Sequence, residues 1–331
     1  MDNPQISVIM STYNGDLWLK NSVDSVLNQS SEEFEFIIIN DGSTDTTSSI
    51  LKSYNDERII IIDQENIGLA KSLNVGLNLA KGKYIARIDA DDICEPNRFE
   101  MQKQFLECNQ EIALVGSDVI MINDKGNCIG YYKYPTSHEK LTERLYNFKS
   151  VFPHSSIFFR KEIIKAEKGY NEKFIRSQDF DLYLRISKKN KIASINEPLI
   201  RLRMNIYGPT YSDDNQLLFG LIALICHYRR EAGLKDYSKN NYNSNEWQLF
   251  LFNVKEWLSN NGMNDLHRFK CEFAILRKQL KQGTILGPIK SIISNISSIQ
   301  TLLFRRNLFK NIPSDLEKFI DKYENNNGNI N

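Results

Sequence analysis

The chain has 331 residues, of which 41% are hydrophobic and 25% are charged, with a net charge of +1. This length and composition predict a globular protein of roughly two domains. No stretch approaches the roughly 20 apolar residues that a membrane-spanning helix needs, and no basic segment precedes an apolar one at the N-terminus, so we expect a cytoplasmic protein.

The charges are distributed unevenly along the chain. Residues 1–100 contain 8 Lys and Arg against 17 Asp and Glu, whereas the remaining residues contain 34 against 24. We expect the acidic part to bind its ligand through a cation or hydroxyl groups, while the basic part can face phosphates. The five cysteines are odd in number and lack metal-like spacing, which predicts free thiols in a reducing compartment.

The first predicted unit is a strand, a polar turn and a helix. Residues 6–10 form a compact apolar run typical of a strand, and the turn at 11–15 leads into a helix with apolar residues up to Leu27. Thr12 of this turn can form hydrogen bonds, and Tyr13 offers a planar face. Packing of Tyr13 over the first strand is an equally good interpretation.

Two further units of the same kind follow. The strand predicted at 34–39 ends in polar residues that include Asp41, which either binds a ligand at this strand end or organises the turn. A third strand at 58–62 precedes a helix that runs to Ala80, with Lys71 in its first turns. A helix N-terminus with a nearby lysine suits a phosphate, although a solvated surface lysine is the default expectation.

The fourth predicted strand, at 84–88, ends in three carboxylates within four residues: Asp89, Asp91 and Asp92. Like charges this close are unfavourable unless a cation lies among their oxygens. A solvated acidic loop is the alternative, but Pro96 and its apolar neighbours close the cluster. Strands that alternate with helices predict an α/β fold with a doubly wound, mostly parallel nucleotide-binding sheet flanked by helices.

Motifs of other nucleotide-binding classes are absent from the sequence. No Gly-x-Gly-x-x-Gly follows the first strand, and no Gly-Lys-Ser/Thr phosphate loop occurs. Dinucleotide oxidoreductases and phosphate-loop NTPases are therefore disfavoured.

Four motifs in order resemble the successive signatures of family 2 glycosyltransferases, which are inverting enzymes with a GT-A fold. They are Ser11-Thr12-Tyr13-Asn14-Gly15, Asn40-Asp41-Gly42-Ser43-Thr44-Asp45, Asn66-x-Gly68-Leu69-Ala70 and Ile88-Asp89-Ala90-Asp91-Asp92. The resemblance covers residues 5–205 and implies a GT-A catalytic domain over 1–205.

The resemblance also implies a donor site for a UDP-sugar. Its nucleotide-binding residues would be Ser11, Thr12, Tyr13, Asp41, Lys71 and Asp89. Tyr13 would stack on uracil, Lys71 would lie near the diphosphate, and Asp89 would approach the ribose and sugar. Asp91, with Asp92, would hold a divalent cation, Mn²⁺ or Mg²⁺.

The segment at 177–185 supplies the candidate general base. Inversion needs one group to take the proton of the acceptor hydroxyl, and Asp179 is our choice, although helix capping is its alternative role. Asp179 resembles the second residue of the family's Glu-Asp pair, with Gln178 in place of the glutamate. His154, in a segment predicted as a strand at 152–160, is either an acceptor contact or a structural histidine.

Two arginines near the end of this domain are candidate acceptor or phosphate contacts. Relatives often carry Tyr-Arg-x-His here, and this chain keeps Arg201 but has Arg203 in place of the histidine. Arg203 cannot ligate a cation, but it can pair with phosphate. An ordinary surface position is the alternative for each arginine.

Beyond the catalytic domain we predict a helical region over 206–324, with helices at 213–232 and 245–262, and a disordered tail at 325–331. The segment 268–310 is basic, with Glu272 as its single acid, and has apolar residues interleaved. It suits either the surface of an anionic membrane or a helical cap with a solvated basic face.

The function implied by the resemblance is transfer of a hexose from a UDP-sugar to a hydroxyl of a lipid-diphosphate-linked saccharide, in O-antigen or capsule assembly. Two alternatives remain open: a dTDP-rhamnose-dependent rhamnosyltransferase, and a non-catalytic nucleotide-sugar-binding subunit. Nucleic-acid binding is not expected, because the basic residues form no recognised module.

Overall fold

The computed structural model describes residues 4–204, 215–231, 233–239 and 244–260. The chain divides into two compact units, Met1–Asn205 and Ile206–Asn331. The basic segment 268–310, interpreted above as either a membrane-binding segment or a helical cap, lies outside the described residues. The tail at 325–331, predicted to be disordered, lies outside them as well.

The first unit begins with alternating strands and helices. The elements are β1 (Ile6–Thr12), α1 (Asp16–Leu27), β2 (Phe34–Asp41), α2 (Thr47–Lys52), β3 (Ile59–Gln64), α3 (Leu69–Leu79) and β4 (Tyr84–Arg87). Their strands pair in parallel in the order β3-β2-β1-β4. The carboxyl ends of all four strands therefore meet at one edge of the sheet, where open α/β sheets bind ligands.

The second half of this unit extends the same sheet with mixed pairing. Its elements are β5 (Ile93–Cys94), α4 (Arg98–Cys108), β6 (Ile112–Ile122), β7 (Cys128–Tyr132), α5 (His138–Tyr146), β8 (Phe158–Arg160), α6 (Lys161–Ala166), α7 (Gln178–Lys189) and β9 (Lys191–Arg203). The strand order is β3-β2-β1-β4-β8-β6-β9-β5, and β7 pairs with β6. The short β8 is antiparallel to both of its neighbours, whereas β9 runs parallel to β6. The predicted α/β fold is confirmed.

The core lies on both faces of the parallel strands. Residues of β1 and β2 such as Val8 and Phe36 are fully buried, and Leu19 and Val23 of α1 pack into the same cluster. Strands covered on both faces read as continuous apolar runs, which explains why the sequence identified them.

Three features of the sequence-based assignment are wrong. The segment with Tyr131 and Tyr132 is not a loop but the edge strand β7, and α5 and α6 were not predicted. The strand predicted at 152–160 is shortened to β8, because residues 154–156 form a 3₁₀ turn before it. These elements are short, and their exposed residues weaken the periodicity on which a prediction relies.

The second unit contains the helices α8 (Asn215–Glu231) and α9 (Asn245–Asn260). Trp247 and Phe250 of α9 are buried, and Phe250 stacks on Tyr237 with ring centroids 4.5 Å apart. Among the residues that the structure describes, no helix has the length and apolar character needed to cross a membrane.

Candidate active site

The acidic cluster lies just beyond the carboxyl end of β4. The chain turns after Arg87 so that carboxylate oxygens of Asp89, Asp91 and Asp92 lie within 4.8 Å of one another. Asp92 is buried, and Asp89 and Asp91 are half-buried. Oxygen ligands of this kind are what Mg²⁺ and Mn²⁺ prefer, so the residues fit a divalent cation.

The three carboxylates destabilise one another's charged forms. Burial and the charge of Asp89 raise the pKa of Asp91 to about 6. Burial, followed by the charges of Asp91 and Asp89, raises the pKa of Asp92 well above its usual range. A cation among these oxygens would remove both penalties, because it favours the ionised form of every acid around it.

This repulsion predicts an unusual pH dependence of the cation-free protein. The folded state holds the proton of Asp91 more tightly than the unfolded chain does, so lowering the pH from about 6 towards the ordinary value of 3.8 should stabilise the fold through this group. We expect a gain on the order of 1 to 3 kcal/mol relative to Asp91→Asn, which cannot titrate. Urea denaturation of both proteins in EDTA across this window measures it, and a pH-independent difference would contradict the prediction.

Two buried side chains contact the acidic cluster. Arg87, only 2% exposed, forms a two-pronged ion pair with Asp89. Ser155 is fully buried in the 3₁₀ turn, and its Oγ accepts a hydrogen bond from the backbone N–H of Asp89 at 3.0 Å. The same Oγ lies 2.9 Å from Asp89 Oδ2 and also contacts Asp92 Oδ2. The cluster is therefore held by groups that bulk water does not reach.

Arg203, the last residue of β9, lies directly against the acids. Its backbone N–H donates to Asp92 Oδ1 at 2.7 Å, and its Nε donates to the backbone carbonyl of Asp91 at 2.8 Å. Nη1 donates to the carbonyls of residues 123–124, and the guanidinium lies over the ring of Trp18 at 5.1 Å. Arg203 thus ties the acidic turn to the end of β6.

Two other predicted basic contacts have different surroundings. Nε of Arg201 forms an ion pair with Glu95 at 2.6 Å, and the Arg201 side chain is 43% exposed. Lys71 is exposed in the first turn of α3. Each can face solvent at the ligand-binding edge, but the structure records no contact between either side chain and the acidic cluster.

The turns after β1 and β2 are joined by hydrogen bonds. Asn14, in the left-handed region at φ 51°, accepts from the N–H of Thr44 at 2.8 Å and donates its own N–H to Ser43 Oγ at 3.0 Å. Asparagine tolerates this backbone conformation better than most residues. Tyr13, beside it, is 54% exposed. A rigid double turn therefore presents one open aromatic face.

Thr12 and Gly15, at the two ends of this turn, lie close to one another. Thr12 is buried, and among the described residues its Oγ1 has no hydrogen-bond partner. A Cβ at Gly15 would come within 2.3 Å of that oxygen, so only glycine fits there. Ser11, one residue earlier on β1, is half-buried. An unsatisfied buried hydroxyl of this kind calls for a ligand or water partner.

Asp41 organises the loop that precedes α3. Its Oδ1 accepts from Gln64 Nε2 at 2.7 Å and from the N–H of Ile67 at 2.9 Å, while Oδ2 accepts from the N–H of Gly68 at 2.9 Å. The turn-organising role is therefore real, although it involves the neighbouring 64–68 loop. A carboxylate offers about four acceptor sites, so these three bonds leave capacity for one more donor.

Asp179 occupies the first turn of α7. Its Oδ1 accepts from the N–H of Phe180 at 2.8 Å. Burial raises the pKa of Asp179, while the charge of Arg87 lowers it and that of Asp89 raises it. The charge of Arg87, which pairs with Asp89, therefore also acts on Asp179.

His154 is part of a buried polar group that includes Tyr170. Its Nε2 lies 2.7 Å from the hydroxyl of Tyr170. Burial, and next the charge of Arg87, lower the pKa of His154 well below its usual range, so the ring is neutral at pH 7. Tyr183 is also buried, and its pKa is raised by burial and by the charge of Asp179. A neutral, hydrogen-bonded histidine fits the structural interpretation given above.

Sequence reasoning missed two site residues, Arg87 and Ser155. One signal for Arg87 was present: it is a charged residue in an otherwise apolar strand, two positions before Asp89. Residues at this spacing point to the same side of a strand. No local pattern marks Ser155, because its partners lie more than 60 residues away in the sequence.

Comparisons with known proteins identify relatives of this chain. The family model described as Glycosyl transferase family 2 matches residues 7–167. The uncharacterized glycosyltransferase MJ1057 of Methanocaldococcus jannaschii is 36% identical over 266 residues, which cover 78% of this chain and 89% of that protein. The O-antigen biosynthesis glycosyltransferase WbnJ of Escherichia coli is 38% identical over 184 residues, 55% of this chain and 71% of WbnJ.

Solved structures share the fold. TarS 1–349 of S. aureus in complex with UDP-GlcNAc has a TM-score of 0.58 at 14% identity, covering 97% of this chain and 92% of that one. The mannosyltransferase PcManGT of Pyrobaculum calidifontis, in complex with GDP-Man and Mn²⁺, has a TM-score of 0.51 at 15% identity, covering 97% and 87%.

The fold and the acidic strand end are those of a GT-A glycosyltransferase. The chain belongs to the family 2 glycosyltransferases.

Proposed function

We propose that this glycosyltransferase moves a hexose from a UDP-sugar to a hydroxyl of a lipid-diphosphate-linked saccharide, with inversion at the anomeric carbon. The observation that carries the proposal is the acidic cluster after β4, where carboxylate oxygens of Asp89, Asp91 and Asp92 lie within 4.8 Å of one another. The family resemblance assigns the general base on the acceptor side to Asp179. A donor diphosphate held at the cluster and an acceptor hydroxyl at Asp179 would then share one site.

The proposed reaction is a single displacement. The acceptor oxygen bonds to the anomeric carbon while the bond from that carbon to the diphosphate oxygen breaks, and the departing UDP keeps the bonding electrons. The proton of the acceptor hydroxyl passes to the carboxylate of Asp179. Burial raises the pKa of Asp179, which makes it a stronger base than an ordinary aspartate.

The cation site supports departure of the nucleotide. Asp91 and Asp92, with Asp89 beside them, would hold Mn²⁺ or Mg²⁺. When bound, the cation neutralises the charge that grows on the diphosphate. The solved structure of PcManGT contains Mn²⁺ together with GDP-Man, which is consistent with this assignment.

The nucleotide would lie over the turns after β1 and β2. Tyr13 is exposed enough to stack on uracil, and Ser11 or the unpartnered hydroxyl of Thr12 can bond the base. Asp41 has capacity for one further donor, such as the imide N–H of uracil. The UDP-GlcNAc complex of TarS supports a UDP-sugar as the first donor to test.

The basic residues are the candidate contacts for the diphosphate and the acceptor. We assign Lys71 to the diphosphate and keep Arg201 and Arg203 as candidate phosphate contacts. His154 would support the acceptor side through its bond to Tyr170. Similarity to the O-antigen biosynthesis glycosyltransferase WbnJ supports a surface polysaccharide as the product class. We also propose that 268–310 meets the cytoplasmic face of the membrane that carries such an acceptor, since its sequence is basic and rich in isoleucine.

A donor screen tests the proposal. UDP- and dTDP-sugars are compared for thermal stabilisation of the protein and for nucleotide release, in Mn²⁺ and in EDTA. We expect UDP-sugars to stabilise the protein in Mn²⁺ and to lose most of this effect in EDTA. Stabilisation by dTDP-rhamnose alone, unchanged by EDTA, would instead identify the metal-independent rhamnosyltransferase.

A further inference from the structure

Ser155 makes an unusual number of contacts for a single hydroxyl group. Its Oγ accepts from the backbone N–H of Asp89 and lies 3.3 Å from Nη1 of Arg87. It also lies within hydrogen-bond distance of Oδ2 of Asp89 and of Asp92. A hydroxyl has one proton, so it donates to one of these carboxylates at a time while it accepts from the N–H groups.

We propose that Ser155 is a positioning residue for the cation site, where its hydroxyl fixes the orientation of the Asp89 and Asp92 carboxylates. The inference rests on the cation site of the proposed function. It adds a residue outside the acidic motif that determines how tightly the motif binds a divalent cation.

The surroundings of the two carboxylates support this role. Both carboxylate oxygens of Asp92 have a partner: Oδ1 accepts from the backbone N–H of Arg203, and Oδ2 contacts Ser155. Asp89 is held by Arg87, which donates to both of its carboxylate oxygens, and by Ser155, which contacts Oδ2. Without these bonds, like charges within 4.8 Å would turn away from one another.

Burial strengthens the effect of the hydroxyl. Ser155 is 0% exposed, so water does not compete for its bonds to the carboxylates. Partners that hold metal-binding carboxylates in this way typically change metal affinity by about 10–100-fold when they are removed. The carboxylates that bind the cation would remain in such a variant, so the expected effect is a weaker affinity for the cation and not the loss of the site.

The adjacent residue provides a matched control. Ser156 is also fully buried, but its Oγ donates to the backbone carbonyl of Pro153 at 2.9 Å. Ser155→Ala and Ser156→Ala therefore remove the same atom, at neighbouring buried positions of one 3₁₀ turn. Only the first substitution removes a contact with the acids.

The experiment is a titration of the full chain with Mn²⁺ alone, followed by the electron paramagnetic resonance signal of free Mn²⁺. We expect Ser155→Ala to raise the Kd by about 10–100-fold and Ser156→Ala to leave it near the wild-type value. Ser155→Cys, which keeps a weak donor, should give an intermediate Kd. Melting temperatures in EDTA establish that each variant is folded.

Each other outcome has a defined meaning. A folded Ser155→Ala protein with the wild-type Kd overturns the inference and leaves the proposed function intact. An equal loss of affinity in Ser156→Ala overturns it as well, because the effect would then come from general packing. If the wild-type chain binds no Mn²⁺, the cation site of the proposed function fails together with this inference. If Ser155→Ala does not fold, Ser155→Cys takes its place: a Kd above the wild-type value supports the inference, and the wild-type Kd overturns it.

Discussion

Asp179→Asn is expected to lower kcat by about 10²- to 10⁴-fold, the usual contribution of a general base. Asparagine keeps the size of the side chain and its acceptor oxygen for the N–H of Phe180, but it cannot take a proton. The affinity for UDP in Mn²⁺ should stay near the wild-type value, because the proposed role of Asp179 is on the acceptor and not on the nucleotide. Nucleotide release with the best donor gives kcat, and calorimetry gives the UDP affinity.

The control for this variant is Glu172→Gln. Glu172, in the loop before α7, has an exposed carboxylate that accepts a hydrogen bond from Asn74 of α3. The substitution therefore removes the same charge as Asp179→Asn, but at a different position. Its kcat should remain near wild type. Full activity in Asp179→Asn would exclude this residue as the base. A wild-type chain that binds UDP but turns over no donor would favour the non-catalytic subunit.

Asp91→Asn should abolish measurable Mn²⁺ binding and lower kcat by about 10³-fold, since a bound cation supplies several kcal/mol of charge stabilisation. In EDTA the same variant should melt at a higher temperature than the wild type. The substitution removes one charge from a cluster in which burial and Asp89 raise the pKa of Asp91 to about 6. Loss of activity together with a gain of cation-free stability is characteristic of a ligand site.

The control for Asp91 is Asp124→Asn. Asp124 is exposed at the end of β6, where its backbone carbonyl, and not its carboxylate, accepts from Arg203. This variant should bind Mn²⁺ like the wild type. If Asp91→Asn retained both Mn²⁺ binding and kcat, the cluster would not be the cation site.

The first four strands were predictable because β1, β2 and β4 are buried and β3, although only half-buried, is a run of isoleucines, so all four read as apolar runs. The polar turns that follow them were equally visible. The strand pairing in the second half of the first unit was not predictable. β8 has three residues and runs antiparallel between β4 and β6, which no local pattern specifies. Strand β9 continues through Pro198, where its pairing with β6 shifts register, so two runs that look separate in the sequence form one strand.

At the candidate site, too, residues that are neighbours in the sequence could be predicted, whereas residues brought together by the fold could not. Asp89, Asp91 and Asp92 are adjacent in sequence, and their proximity could be read directly. The positions of Arg203 and Ser155 depend on pairing between distant segments. The chemistry of its guanidinium made Arg203 a candidate phosphate contact, with an ordinary surface position as the alternative. In the structure its Nε and Nη1 donate to backbone carbonyls.

The pairing of β9 beside β6 has a consequence for biosynthesis. The backbone N–H that fixes Asp92 belongs to Arg203, which lies 111 positions later in the chain. A polypeptide emerging from the ribosome would therefore present its acids long before the strand that orients one of them exists. We expect tight Mn²⁺ binding to begin only after residue 203 has left the ribosome and β9 has paired with β6. Bound Mn²⁺ would therefore indicate that this domain has finished folding.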